Sequence, residues 1–286
     1  MNYQSYADMA NVIRRNLWKV PTDVSLIVGV PRSGMIAALM IAELLNKPCA
    51  SLCPSGFISM SRGGTREMMS HSQQYGKILL VEDVVNTGDS MARALQAFRD
   101  HHPGEYPQAL TLAVYAEGIN AKQMVDIYLQ DNYRADDPDW FYEWNLLHHS
   151  KSDRCIWDID GLLCKNPPDD RDTAAYEQYI SDPVPMVIPS YKVGAFVTYR
   201  LEQYRPITEA WLKNHGIKYG ELYMCPAADR EARNKAVQPE RFKAYLYTHL
   251  YSDVLLFIES DPAQASLIHD ISGKPVYCYE SGIMFK

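Results

Sequence analysis

Two apolar runs, ILLVED (78–83) and CIWDID (155–160), each lead a buried-strand pattern directly into a pair of carboxylates. No other feature constrains the fold as strongly. Short runs rich in branched aliphatic residues suit strands covered on both faces of a parallel sheet. Charged groups at their ends mark where each chain segment leaves the core, because an ionised side chain is costly to bury without a partner. After the first run comes Asn86-Thr87-Gly88-Asp89-Ser90, a set of small polar residues that opens a helix. After the second comes Gly161.

The surrounding pattern repeats strand and helix. The spacing predicts a helix over 4–17, a strand over 24–30, a helix over 33–46, a strand over 77–81, a helix over 89–101 and a strand over 109–115. Residues 54–76, rich in Gly and Ser with few apolar anchors, read as a long mobile loop, and such loops inside compact domains usually serve function. The rhythm breaks at 131–153, where acidic residues precede WFYEW (140–144) and HHSKSD (148–153). A second series follows, with strands near 155–159, 195–198, 221–224, 254–258 and 275–278. Helices are expected near 172–181, 203–215, 239–249 and 261–270. The expected fold class is therefore α/β, with two domains, 1–150 and 151–286, each a mainly parallel sheet flanked by helices.

Composition narrows the function. The chain has 286 residues, 47% of them apolar, so both domains can bury cores. Its 28 basic and 35 acidic side chains give a net charge of −7, against broad nucleic-acid binding. The first twenty residues carry charge and no long apolar run, which reads against a signal peptide. The longest apolar stretch, 34–42, is far short of the roughly 20 residues that span a bilayer. The six cysteines, 49, 53, 155, 164, 225 and 278, form no CxxC pair and read as free thiols of a cytoplasmic protein.

The segment 78–90 forms a two-part clamp in chemical terms. Backbone N–H groups at a helix N-terminus suit a phosphate, and Thr87 and Ser90 add hydroxyls. Glu82 and Asp83 suit vicinal hydroxyls or a Mg²⁺-bound sugar, so a ribose 5-phosphate fits. This pattern closely resembles the phosphoribosyl-pyrophosphate (PRPP) motif of type I phosphoribosyltransferases. The resemblance implies that Glu82, Asp83, Asn86, Thr87, Gly88, Asp89 and Ser90 bind PRPP with Mg²⁺. It also implies that GVPRSG (29–34) supplies a diphosphate loop through Arg32, Ser33 and Gly34. The loop 54–76 would close over PRPP, with Arg62, Arg66 and His71 as candidates to reach the diphosphate. Residues 116–147, including Glu117, Trp140, Tyr142, Glu143, Trp144 and Asn145, would form an acceptor-selecting hood, or else a small aromatic core.

The second run, ending DxDGxL, resembles the first motif of haloacid-dehalogenase (HAD) superfamily phosphatases. By that resemblance Asp158 is the nucleophile and Asp160 the general acid/base. Thr198 binds the phosphoryl group, with Arg200 close by, and Lys243, or alternatively Lys235, neutralises it. Asp158, Asp160, Glu259 and Asp261 would complete a Mg²⁺ site, either Glu259 or Asp261 being the true acidic ligand there. Only 39 residues separate Asp158 from Thr198, too few for a large cap, which implies an open site.

The order of the two motif sets resembles the dual-domain ribofuranosyltransferases of bacterial surface-polysaccharide assembly. That resemblance implies phosphoribosyl transfer to a glycan hydroxyl followed by removal of the 5-phosphate, and peripheral association with a polysaccharide assembly machinery. A nucleobase acceptor with a coupled nucleotide phosphatase is the alternative, and a PRPP-sensing regulator a third.

Overall fold

A computed structural model of the chain describes residues 1–60, 76–104, 108–167, 173–235, 238–250 and 253–286. The chain divides into two compact units, Asn2–Trp144 and Asn145–Lys286. Arg62, Arg66 and His71 lie outside the described residues.

In the first unit the elements run β1 (Asn2–Gln4), α1 (Tyr6–Asn16), β2 (Val24–Gly29), α2 (Gly34–Leu45), β3 (Cys49–Leu52), β4 (Ile58–Met60), β5 (Lys77–Val85), α3 (Asp89–His101), β6 (Gln108–Ala116), β7 (Ile127–Asp131) and β8 (Trp140–Tyr142). The main sheet has the order β4-β3-β2-β5-β6-β7 and is parallel except where β4 pairs with β3. A separate parallel pair joins β1 to β8. β4 falls inside the stretch that the sequence reads as a loop. Ile58 is buried and its strand has only one neighbour, so three residues of edge pairing left too short a signal. β3, β7 and β8 were likewise too brief to announce themselves.

The period of two along the strands sorts the core. Ile27, Leu79 and Val81 pack with Met9 and Ile13 of α1 and Ala38 and Ile41 of α2. Leu26, Val28, Ile78 and Leu80 turn the other way, onto Met91 and Phe98 of α3. α1 is entered through a capping box, in which Ser5 and Asp8 exchange backbone hydrogen bonds.

The second unit contains β9 (Cys155–Trp157), α4 (Thr173–Ser181), β10 (Val193–Leu201), α5 (Arg205–Asn214), β11 (Tyr219–Cys225), α6 (Arg230–Lys235), α7 (Pro239–His249), β12 (Leu256–Glu259), α8 (Pro262–Ser272), β13 (Val276–Cys278) and β14 (Met284–Phe285). Its sheet, β11-β10-β9-β12-β13-β14, is parallel except at β14. Ile156, Val197 and Phe257 meet Ala244 and Tyr247 of α7 and Ala265 and Ile268 of α8 in one core. Both units are thus α/β, with parallel-dominated sheets flanked by helices. The six cysteines form no disulfide, and among the described residues no helix is long and apolar enough to cross a membrane.

One glycine ties the helical and strand layers of the first unit together. A Cβ on Gly34 would lie 2.6 Å from the Val81 carbonyl oxygen, so α2 begins in direct contact with β5. Gly34→Ala is expected to cost about 1–3 kcal/mol through this overpacking, as measured by chemical denaturation.

Candidate functional site

β5 differs from its sequence expectation in a way that explains the first site. The strand does not stop at the acid pair but continues to Val85. Its pairing with β2 ends at Gly29↔Val81, whereas its pairing with β6 runs on to Val85↔Ala116. Glu82 and Asp83 therefore sit in a strand that has lost one neighbour. The chain from β2 turns away there and returns through Ser33 into α2.

The two segments expected to bind phosphate meet at Asp83. Ser33 precedes α2 but caps nothing; its hydroxyl donates to Asp83 Oδ1 at 2.9 Å, across 50 residues of sequence. The Trp144 indole Nε1 donates to Asp83 Oδ2 at 2.6 Å. Ser90 Oγ donates to Glu82 Oε1 at 2.5 Å. Both carboxylates are 7% exposed. Burial pushes the Asp83 carboxyl above its usual range, opposed by the bonds from Trp144 and Ser33. Burial raises Glu82 as well, with Ser90 opposing it and Asp83 adding to it.

Gly88, at φ +85°, makes the turn into α3, and a Cβ there would lie 2.6 Å from Met124 Cβ. Asn86, Thr87, Asp89 and Ser90 are exposed around it, with the Thr87 hydroxyl donating to Asp89 Oδ2 at 2.9 Å. Helix N-terminal amides here are available to an anion. Arg32 is exposed beside Ser33. A Mg²⁺–diphosphate sugar fits this donor set, since two carboxylates and several hydroxyls lie next to a helix N-terminus.

A cavity of about 350 Å³ opens beside this loop, lined by Asn86, Glu117, Gly118, Tyr133, Arg134 and Trp140. Tyr142 donates its hydroxyl proton to Glu117 Oε2 at 3.2 Å. Trp140 is 6% exposed and its indole Nε1 has no hydrogen-bond partner among the described residues. Of the expected hood, Trp140 and Tyr142 belong to the packed core of the first unit. Trp144 stacks on Tyr115, ring centroids 6.2 Å apart, and holds Asp83. Glu143 accepts from the Tyr6 backbone N–H at 2.8 Å.

The second unit gathers Asp158, Asp160, Thr198 and Lys243 around a cavity of about 580 Å³. Asp158 follows β9, its backbone N–H bonded to the Ile258 carbonyl and its Oδ1 accepting from the Ile159 N–H. Lys243, 3% exposed, donates to Asp158 Oδ2 at 3.0 Å, Glu259 Oε2 at 2.7 Å and Gln264 Oε1 at 3.0 Å. Burial works against its charge, but Asp158 and Glu259 outweigh burial and hold the ammonium above the usual lysine range. Lys235, by contrast, is exposed and pairs with Glu231.

Arg200 makes the contact that sequence reasoning missed. It is 1% exposed and grips Asp160 with two bonds, Nε to Oδ2 at 2.9 Å and Nη2 to Oδ1 at 2.6 Å. This planar fork fixes the Asp160 carboxyl in one orientation. The signal was the alternation of Thr198 and Arg200 on one strand, which places both on one face of β10.

Of the four expected metal ligands, Asp158, Asp160 and Asp261 line this cavity, whereas Glu259 is fully buried and does not. Glu259 is spent on Lys243 through one oxygen and on the Ser260 and Asp261 N–H groups through the other. Asp261 caps α8 by accepting from the Gln264 N–H. The Asp160 carbonyl accepts the Ser260 hydroxyl at 2.9 Å. Among the described residues no group of three or more His, Cys, Asp or Glu could hold a metal ion. As they stand, these residues do not fit a divalent cation, because Lys243 takes the position between Asp158 and Glu259.

No family model matches the chain. Over 113 residues it is 31% identical to a xanthine-guanine phosphoribosyltransferase of Chromohalobacter salexigens, a match covering 39% of this chain and 64% of that protein. The chain thus spans less than two thirds of this relative. Among solved structures it is similar to a Helicobacter pylori xanthine-guanine-hypoxanthine phosphoribosyltransferase, at 17% identity and TM-score 0.37, covering 50% of this chain and 92% of that one. A purine phosphoribosyltransferase from Pyrococcus horikoshii is similar at 15% identity and TM-score 0.36, with the same two coverages.

Two outcomes follow from these geometries. Arg200→Ala strips the half-buried Asp160 carboxylate of its partner and is expected to destabilise the chain by about 1–3 kcal/mol in denaturant titration. Glu82 and Asp83 titrate higher folded than unfolded. The folded state therefore holds more protons, and this stabilising contribution is lost as pH rises through the folded values. Asp83→Asn removes one such charge, and at pH 8 it is expected to raise the melting temperature by roughly 2–4 °C in calorimetry.

Proposed function

We propose that the first unit transfers a 5-phosphoribosyl group from PRPP to an acceptor, and that the second hydrolyses phosphate monoesters. The observation that carries the first half is the bond from Ser33 to Asp83. Two segments that independently resemble PRPP-binding loops share one carboxylate, which gives a single locus for a diphosphate and a ribose. Asp83 and Glu82 accept the ribose hydroxyls, and the 86–90 loop takes the 5-phosphate. A Mg²⁺ bound with the diphosphate would screen its charge. The C1–O bond to the diphosphate breaks, the acceptor's nucleophilic atom bonds to C1, and the acceptor gives up its proton.

The cavity beside Asn86 is the acceptor pocket in this reading, and its volume lies within the range of small-ligand sites. Glu117 offers an acceptor for an N–H group. Such an acceptor suits the N–H edge of a nucleobase, and the likeness to a xanthine-guanine phosphoribosyltransferase supports that class.

In the second unit, Asp158 attacks the phosphorus and the bond to the leaving oxygen breaks, with Asp160 supplying a proton. Water, deprotonated by Asp160, then cleaves the aspartyl-phosphate and releases inorganic phosphate. Lys243 and Thr198 hold the phosphoryl oxygens throughout.

A second reading, a glycan hydroxyl as acceptor, is favoured by the presence of this Asp158–Lys243 constellation in the same chain. Removing the 5-phosphate undoes the trapping of a nucleotide but completes a ribofuranoside.

Product masses after incubation with PRPP, Mg²⁺, and nucleobase and glycan panels test both. With Asp158→Asn, a nucleobase is expected to gain a phosphoribosyl mass, and with the wild type only a ribosyl mass. Asp83→Ala is expected to slow the first step about 10²-fold or more while hydrolysis of small phosphate esters continues. A gain on glycans alone selects the second reading, and PRPP binding with no gain on any acceptor points to a sensor.

A further inference from the structure

The cavity over Asp158 is larger than a phosphoryl group needs. Its reactive end holds Asp158, Thr198 and Lys243, and it extends to Tyr176 of α4, Tyr199 of β10 and Arg233 of α6. There it adjoins a recess of about 200 Å³. Tyr176 and Arg233 line both spaces, and Tyr204, Asp229 and Arg230 line only the recess.

The lining has a specific chemistry. Tyr176 and Tyr204 form a ring pair with centroids 5.6 Å apart, tilted by 58°. The Arg233 guanidinium lies 5.9 Å over the Tyr199 ring. Flat π surfaces and a guanidinium plane favour a flat ring, whereas Asp229 and Arg230 give its edge an acceptor and a donor. Tyr204, Asp229 and Arg230 line only the recess and not the cavity that holds Asp158.

We infer that this recess is the leaving-group subsite of the second unit and that it takes a planar heterocycle carried on a ribose 5-phosphate. The phosphate sits over Asp158, the ribose spans the larger cavity past Tyr199, and the ring enters beside Tyr204. The inference rests on the reading of the second unit as a phosphomonoesterase and adds its substrate class. Esters lacking the ring leave the recess unfilled and are turned over less efficiently.

The test compares a purine nucleoside 5′-monophosphate with ribose 5-phosphate on the full chain. The wild type is expected to show about a 10-fold higher kcat/KM for the nucleotide, the scale of one stacked base. Tyr204→Ala and, independently, Arg230→Gln are expected to remove that advantage while leaving ribose 5-phosphate within about 2-fold. Equal kcat/KM for both esters in the wild type, or parallel losses on both in the variants, overturns the subsite. Calorimetric binding to Asp158→Asn separates the two layers of the claim. If nothing is hydrolysed but the nucleotide still binds about 10-fold tighter through Tyr204, the phosphatase reading fails and the subsite stands. Equal affinities overturn the subsite.

Discussion

The first candidate site depends on holding a carboxylate where the sheet would otherwise exclude it. Asp83 is nearly as buried as the core residues around it, yet two directed donors, Ser33 and Trp144, occupy its oxygens. Each comes from a different part of the chain. The turn between β2 and α2 supplies one and the aromatic segment after β8 supplies the other. Remove either and burial weighs more heavily on the group, pushing it further toward its neutral form. The loss of the β2 neighbour beyond Val81 provides the opening through which such a carboxylate can meet a ligand.

The second unit solves a related problem with full ion pairs. Asp158 and Glu259 share the Lys243 ammonium, and Asp160 has a private guanidinium. Charges this deep are tolerated because each is matched and hydrogen-bonded. The two clamps act differently. Lys243 is a point charge that three acceptors share. Arg200 binds one partner by two parallel bonds and confers orientation.

Much of this was legible in the sequence wherever local pattern and chemistry coincide. The strands ending near Glu82 and Asp158, the helix opening at Asp89 and the lysine at 243 follow from runs of a few residues. Contacts without local signatures were not legible. Trp144 lies 61 residues from the carboxylate it holds, and WFYEW reads equally as platform or packing. Edge strands such as Ile58–Met60 carry too few residues for periodicity. The expected metal set was legible as a list of acids but not as a geometry. Only the structure shows that the Ser260 hydroxyl occupies the Asp160 carbonyl and that Asp261 serves as a helix cap.

The Ser33–Asp83 bond has a consequence for how the site comes into being. Its partners are 50 residues apart, and they approach only when β2 and β5 have paired in register. Closing that span costs chain entropy before any contact repays it. No fragment ending before β5 can contain the proposed ligand locus, and no partly collapsed chain with a slipped register can present it. Competence to bind is therefore tied to completion of the sheet. The appearance of ligand affinity during refolding would report the moment at which the central strands lock together.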